Sequence, residues 1–126
     1  MTGRRARQLL REDMEARFHR LGQFFGCYFH EDRAIFHGSP EQALDAAIAD
    51  HPVALRQEAR RQLRALMAEF PDDASLRRVL NDGLDVNLHF EQPAEARAFA
   101  EMVDRELLES IRTQFEKNSA PRQQTP

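Results

Sequence analysis

At 126 residues, with 41 % hydrophobic and 31 % charged residues, the chain is sized for one globular domain with a single core. A formal charge of −3 argues against a domain that is basic throughout, the usual footprint of a nucleic-acid binder. The single cysteine, Cys27, excludes an internal disulfide and suits a reducing compartment.

The charge is uneven. Met1–Arg11 carries four arginines and no acid, whereas from Ala34 onward 16 acids stand against 11 bases. A mildly acidic body suits solubility and a basic partner. No apolar run of roughly seven to fifteen residues follows the basic start, and none approaches roughly 18. Neither a signal peptide nor a membrane span is expected, and the expected location is the cytoplasm.

Residues 1–6 read as a flexible basic arm, 7–116 as the folded domain and 117–126 as a disordered polar tail. Leu10, Met14, Phe18, Leu21 and Phe25 fall at helical spacing and predict a helix over 7–29, irregular near Gly26. Gly22 and Gly26 lie in that stripe, so either the helix ends near Gly22 or the glycines admit a close backbone. Ala34–Gly38 reads as a loop.

Ser39-Pro40-Glu41-Gln42 is a helix start, with Ser39 as cap, Pro40 in the first turn and Gln42 completing a capping box. Ala43, Leu44, Ala47 and Ile48 give that helix a buried face, and it ends near Asp50, before Pro52. A helix over 53–69 follows, with Ala59, Leu63, Leu66, Met67 and Phe70 inside and Arg56, Arg60, Arg61 and Arg64 on the wet faces. Asp73 can cap a short helix through Leu76, Val79 and Leu80, which Asn81-Asp82-Gly83 stops. Residues 84–90 alternate apolar and polar, the period of a strand. With no pairing partner in a helical chain, they read as an extended segment packed across helices. Pro93 opens a terminal helix to Phe115, with a stripe of Phe99, Met102 or Val103, Leu107, Ile111 and Phe115. The expectation is an all-α, single-domain bundle of about five helices.

Leu21–Asp32 gathers four of the ten aromatic residues, the only tyrosine and the only cysteine. Phe25 and Phe29 extend the stripe begun at Leu10, and losing either is expected to cost about 3–5 kcal/mol if fully buried. Beyond this anchor the motifs of catalysis are missing. The glycines, at 3, 22, 26, 38 and 83, form no phosphate loop. The serines at 39, 75 and 110 have helix-cap or helix-surface explanations, Ser119 lies in the polar tail, and none forms a nucleophile elbow.

One cluster offers a metal alternative. Cys27, His30, Asp32 and His37 can all ligate zinc, and Cys27 and His30 share a face of a continuous helix. Paired ligand spacings such as C-x2-C with H-x3-H are missing. The cluster therefore reads either as the centre of a small metal-binding enzyme or sensor, or as a buried thiol beside a hydrogen-bonded histidine. A further alternative is a helical adaptor or DNA-associated regulator using the Arg4–Arg11 arm.

The string F-F-G-C-Y-F-H-E-D over 24–32, then S-P-E-Q-A-L-D-A-A-I-A-D over 39–50, resembles the helical, CdiI-type immunity proteins of contact-dependent growth inhibition (CDI) systems. The resemblance rests on Phe25, Tyr28, Phe29, His30 and Asp32 and covers residues 18–83. Glu31 stands where that family commonly has glutamine, and Arg33 where it often has tryptophan. Residues 93–115 do not match the family's tryptophan-bearing end. The resemblance implies a non-enzymatic cytoplasmic protein of bacterial competition. Its partner would be the toxic C-terminal domain of a CDI effector, often a nuclease with a basic cleft, with no cofactor, nucleic acid or membrane involved. Acids complementary to such a cleft would be the toxin contacts: Glu31, Asp32, Glu41, Asp45, Asp72, Asp73, Asp82 and Asp85. Asp32 can equally brace the 33–38 loop.

Overall fold

A computed structural model describes residues 3–26, 39–84 and 90–123, and among these the chain is all-α, with six α-helices and no strand. The helices are α1 (Gly3–Arg17), α2 (His19–Gly26), α3 (Pro40–Asp50), α4 (Val53–Glu69), α5 (Asp73–Arg78) and α6 (Pro93–Gln123). A π-helical turn, Val79–Gly83, continues α5.

The single helix expected over 7–29 is two helices. The first begins at Gly3, inside the stretch read as an arm, and the axis breaks at Phe18. At the break the amide of Leu21 donates to Gln62 Oε1 of α4, at 2.9 Å, and not to the carbonyl of Arg17 that a straight helix would offer. The Arg17 guanidinium sits 5.1 Å from the Phe18 ring centroid. The change of direction buries Phe24 together with Leu21 and Phe25, while Met14 of α1 and Phe18 at the break close the core.

Gly22 does not end α2 and admits no backbone. Among the described residues, a Cβ there would meet only the Leu84 side chain, at 3.9 Å. The close approach lies at Gly83, against Met14 of α1. The helix expected to stop at Asn81–Gly83 instead widens by one residue. Leu84 donates its amide to the carbonyl of Val79, five residues back, at 2.9 Å. Asn81 then clasps the chain beyond the turn. Its side chain accepts from the Phe90 amide and donates to the Phe90 carbonyl, both at 3.3 Å. Of the extended segment expected near 84–90, residues 85–89 lie outside the described residues; Leu84 is buried and Phe90 half-buried.

The start of α3 is as read. Ser39 Oγ accepts from the Gln42 amide at 3.1 Å, and Gln42 Oε1 accepts from the Ser39 amide at 3.0 Å. At α5 the cap is Asp72, whose carboxylate accepts from the Ser75 amide at 2.9 Å. Asp73, the expected cap, is one residue too late, inside the first turn. There it pairs with Arg97, whose Nε lies 2.9 Å from Asp73 Oδ1.

Helices α4 and α6 run antiparallel and form the main packing layer. Ala59, Leu63 and Leu66 face Ala96, Ala100, Val103 and Leu107, all buried. Val103, not Met102, takes the inner position. The terminal helix runs past Phe115 into the stretch read as a tail, and Phe115 is 51 % exposed rather than part of the core stripe. The wet-face assignment fails for Arg56, which is only 7 % exposed. Asp104 lies between Arg60 and Arg64. Its Oδ1 is 3.0 Å from Arg60 Nε, close enough for an ion pair but not aligned as a hydrogen bond, and its Oδ2 is 3.3 Å from Arg64.

Candidate interaction surface

The sequence pointed to two sets of residues, and much of both lies outside the described residues. Tyr28, Phe29, His30, Glu31, Asp32 and Asp85 are among these, as are Cys27 and His37 of the metal alternative. Phe25 is buried at the centre of the core, its ring 5.9 Å from Phe24 and 5.8 Å from Phe99. Among the described residues, no three of His, Cys, Asp and Glu are placed to hold a metal ion.

The acids do not form one surface. Asp72 is occupied in capping α5, and the Ser75 amide holds its carboxyl below the usual aspartate range. Asp73 is engaged by Arg97, which also donates to the carbonyls of Phe70 and Pro71 at 2.9 and 2.8 Å. Asp82 is half-buried on the π-helical turn. Only Glu41 and Asp45, both on α3, remain exposed and unpaired among the described residues of that set.

Those two acids face α6 across a groove. Near the start of α3, an open hollow of about 390 Å³ is lined by Pro40, Phe90, Ala98, Phe99 and Met102, with Glu41 and Glu95 at its edge. Further along, a second hollow of about 360 Å³ is lined by Asp45, Ile48, Glu106, Glu109 and Gln114, with the cations Arg56 and Lys117 against it. Both hollows lie along one stripe of α6, since residues 95, 98, 102, 106 and 109 recur at steps of three and four. Glu41, Asp45, Glu95, Glu106 and Glu109 are all exposed, and none makes an ion pair or side-chain hydrogen bond among the described residues. Elsewhere acids are more often engaged: Asp13 and Glu69 by Arg17, Glu58 by Arg61, Asp104 by Arg60 and Arg64. Arg61 holds the Glu58 carboxyl below its usual range, and Glu69 raises the guanidinium of Arg17 above its own.

Glu95, Glu106 and Glu109 are not among the acids expected from the sequence, because their place beside α3 depends on how α6 packs. Their signal was weak but present: three glutamates on the outer side of a helix whose inner stripe was already assigned.

Arg56 is the groove's buried cation. Its Nε donates to the carbonyl of His51 at 2.9 Å and one Nη to Gln114 Oε1 at 3.3 Å. His51 itself is fixed, with Nδ1 2.7 Å from the carbonyl of Ala47. A carbonyl only accepts, so Nδ1 carries the hydrogen. Arg56 thus joins the end of α3 to α4 and α6 and sets the groove's floor.

Among the described residues no helix is long and apolar enough to cross a membrane. No match is found to any curated protein or any solved structure. A family model described as CdiI immunity protein matches residues 17–122, which extends the likeness read over 18–83 through the whole of the α6 stripe. The match spans most of the chain, which therefore belongs to the CdiI immunity protein family.

Proposed function

We propose that this immunity protein binds the toxic C-terminal domain of a CDI effector, presents the α3–α6 groove to a basic surface of that domain, and thereby covers a nuclease active site. The observation that supports this is the gathering of five unpaired carboxylates, Glu41, Asp45, Glu95, Glu106 and Glu109, along one groove. Exposed like charges held together repel one another, at a modest cost to the free protein. A cationic partner relieves that repulsion, speeds encounter and disfavours acidic competitors. Exposed charges by themselves add little affinity, so the grip comes from apolar anchors at the centre of an interface of roughly 1,600 Å² in total.

The test is co-expression with the toxin domain encoded next to this chain. Growth is restored and the two proteins elute as one complex from a sizing column. Glu106→Lys with Glu109→Lys slows association roughly tenfold or more at low salt, and the difference shrinks as salt screens the groove. Full toxicity in the presence of soluble protein, with no complex, overturns the reading.

A further inference from the structure

The two hollows share a chemistry that limits what fits them, apolar surface with acids along the rim. The first has an apolar floor, Ala98, Phe99, Met102 and Phe90, between two glutamates. The second also exposes mostly apolar surface, with Asp45, Glu106 and Glu109 along its rim and the cations Arg56 and Lys117 beside them. From Glu95 to Glu109 the α6 stripe spans about 21 Å, at about 1.5 Å per residue. Both hollows are shallow and open to solvent, whereas a small-molecule site encloses most of its ligand. An open slot with apolar surface along its length and acids along its rim fits a length of chain.

Arg56 adds a further requirement. It is 7 % exposed, lines the second hollow and has described acceptors for its Nε and one Nη only. The second Nη has no acceptor among the described residues, and none of the rim acids reaches it. That nitrogen opens on the hollow, where it can donate to an oxygen from whatever fills the slot.

We propose that one segment of the toxin lies along this groove. It places a large apolar side chain over Ala98 and Met102, lysine or arginine side chains against Glu41 with Glu95 and against Asp45, Glu106 and Glu109, and a carbonyl oxygen on Arg56. Extended, about six residues cover that length at about 3.3 Å each. The inference rests on the immunity reading above and adds the chemistry of the bound segment.

Titration of the full chain with the toxin domain tests it. Ala98 is exposed, so Ala98→Trp fills the first hollow without entering the core. It raises Kd at least tenfold and leaves the dependence on salt unchanged. Glu41→Lys with Glu95→Lys, and separately Glu106→Lys with Glu109→Lys, raise Kd at least tenfold and flatten the salt dependence. Glu15→Lys, on α1, changes neither. Circular dichroism checks that each variant stays helical. Hydrogen exchange on the unsubstituted chain gives a second measurement, because the amides of 95–109 gain protection in the complex. Wild-type affinity for Ala98→Trp, or no added protection over 95–109, overturns the slot while the immunity reading stands. A wild-type chain that fails to bind the toxin overturns both.

Discussion

Gly83 lies against Met14 so closely that a Cβ on Gly83 would stand 2.7 Å from Met14 Cγ, with Leu10 Cγ at 3.5 Å. Cγ is anchored near the backbone and cannot swing away as a side-chain tip would. A side chain at this position therefore forces the π-helical turn and α1 to shift. Gly83→Ala is expected to lose about 1–3 kcal/mol by overpacking. Met14→Ala is expected to lose about 2–5 kcal/mol by leaving a cavity. The double variant should lose less than the sum, because the new methyl enters the vacated space. Urea unfolding of the four proteins measures the coupling, and strict additivity would show that the two residues do not touch.

Arg97 ties three elements together, donating to Asp73 and to the carbonyls of Phe70 and Pro71 just beyond α4. Arg97→Met is expected to cost about 1–3 kcal/mol, because it removes three charge-assisted bonds at once. Asp73→Ala should cost under about 1 kcal/mol, since that carboxylate is 45 % exposed and the pair is near water. Lysine at position 97 is not expected to restore stability, as it lacks the planar fork. Equal losses for Arg97→Met and Asp73→Ala would assign the effect to the ion pair alone.

Phe25 is the central anchor, 1 % exposed, edge-on to Phe24 and against Phe99 of α6. Phe25→Ala is expected to cost about 3–5 kcal/mol, a large part of a total of roughly 5–15 kcal/mol. Phe25→Leu should retain most of that. Thermal melts of the pair read the difference, and a loss under about 1 kcal/mol for alanine would place Phe25 outside the core.

Asp72 and Glu58 have carboxyls held below their usual ranges, by the Ser75 amide and by Arg61. A carboxyl that is more acidic folded than unfolded stabilises the fold above its unfolded pKa. That contribution disappears as pH falls through the folded pKa. Stability should therefore drop on acidification from neutral into and below the ordinary carboxylate range. Asp72→Ala, already without its cap, should be less stable at neutral pH and fall less steeply. Denaturation midpoints at several pH values check this, and parallel curves would exclude a role for Asp72 in the acid response.

The legible parts of the fold were those with local causes. The capping box at Ser39 and Gln42 is formed by neighbours, and it stands as read. So does the buried stripe of Ala59, Leu63 and Leu66, which follows from helical period alone. The break at Phe18 was not legible, because the group that accepts the freed Leu21 amide is Gln62, on another helix. The burial of Arg56 was hidden likewise, since its partners are His51 and Gln114. For the surface, Glu41 and Asp45 were chosen for their position at a helix start. What they face depends on α6, more than forty residues further along the chain.

By itself the sequence determined an all-α chain, the start of α3, most of the apolar stripes and the likeness to immunity proteins. The first three follow from residues within a few turns of one another, where periodicity and capping act, and the likeness rests on the motif at Phe25–Asp32. Only the tertiary structure decided that Gly83, not Gly22, carries the close contact, that Asp73 serves Arg97 and not a helix cap, and that five free carboxylates line the groove between α3 and α6. Those outcomes depend on which helices meet and at what distance. That choice is made by packing Leu63, Leu66, Val103 and Leu107 into one core, and charge follows the apolar seam wherever it runs.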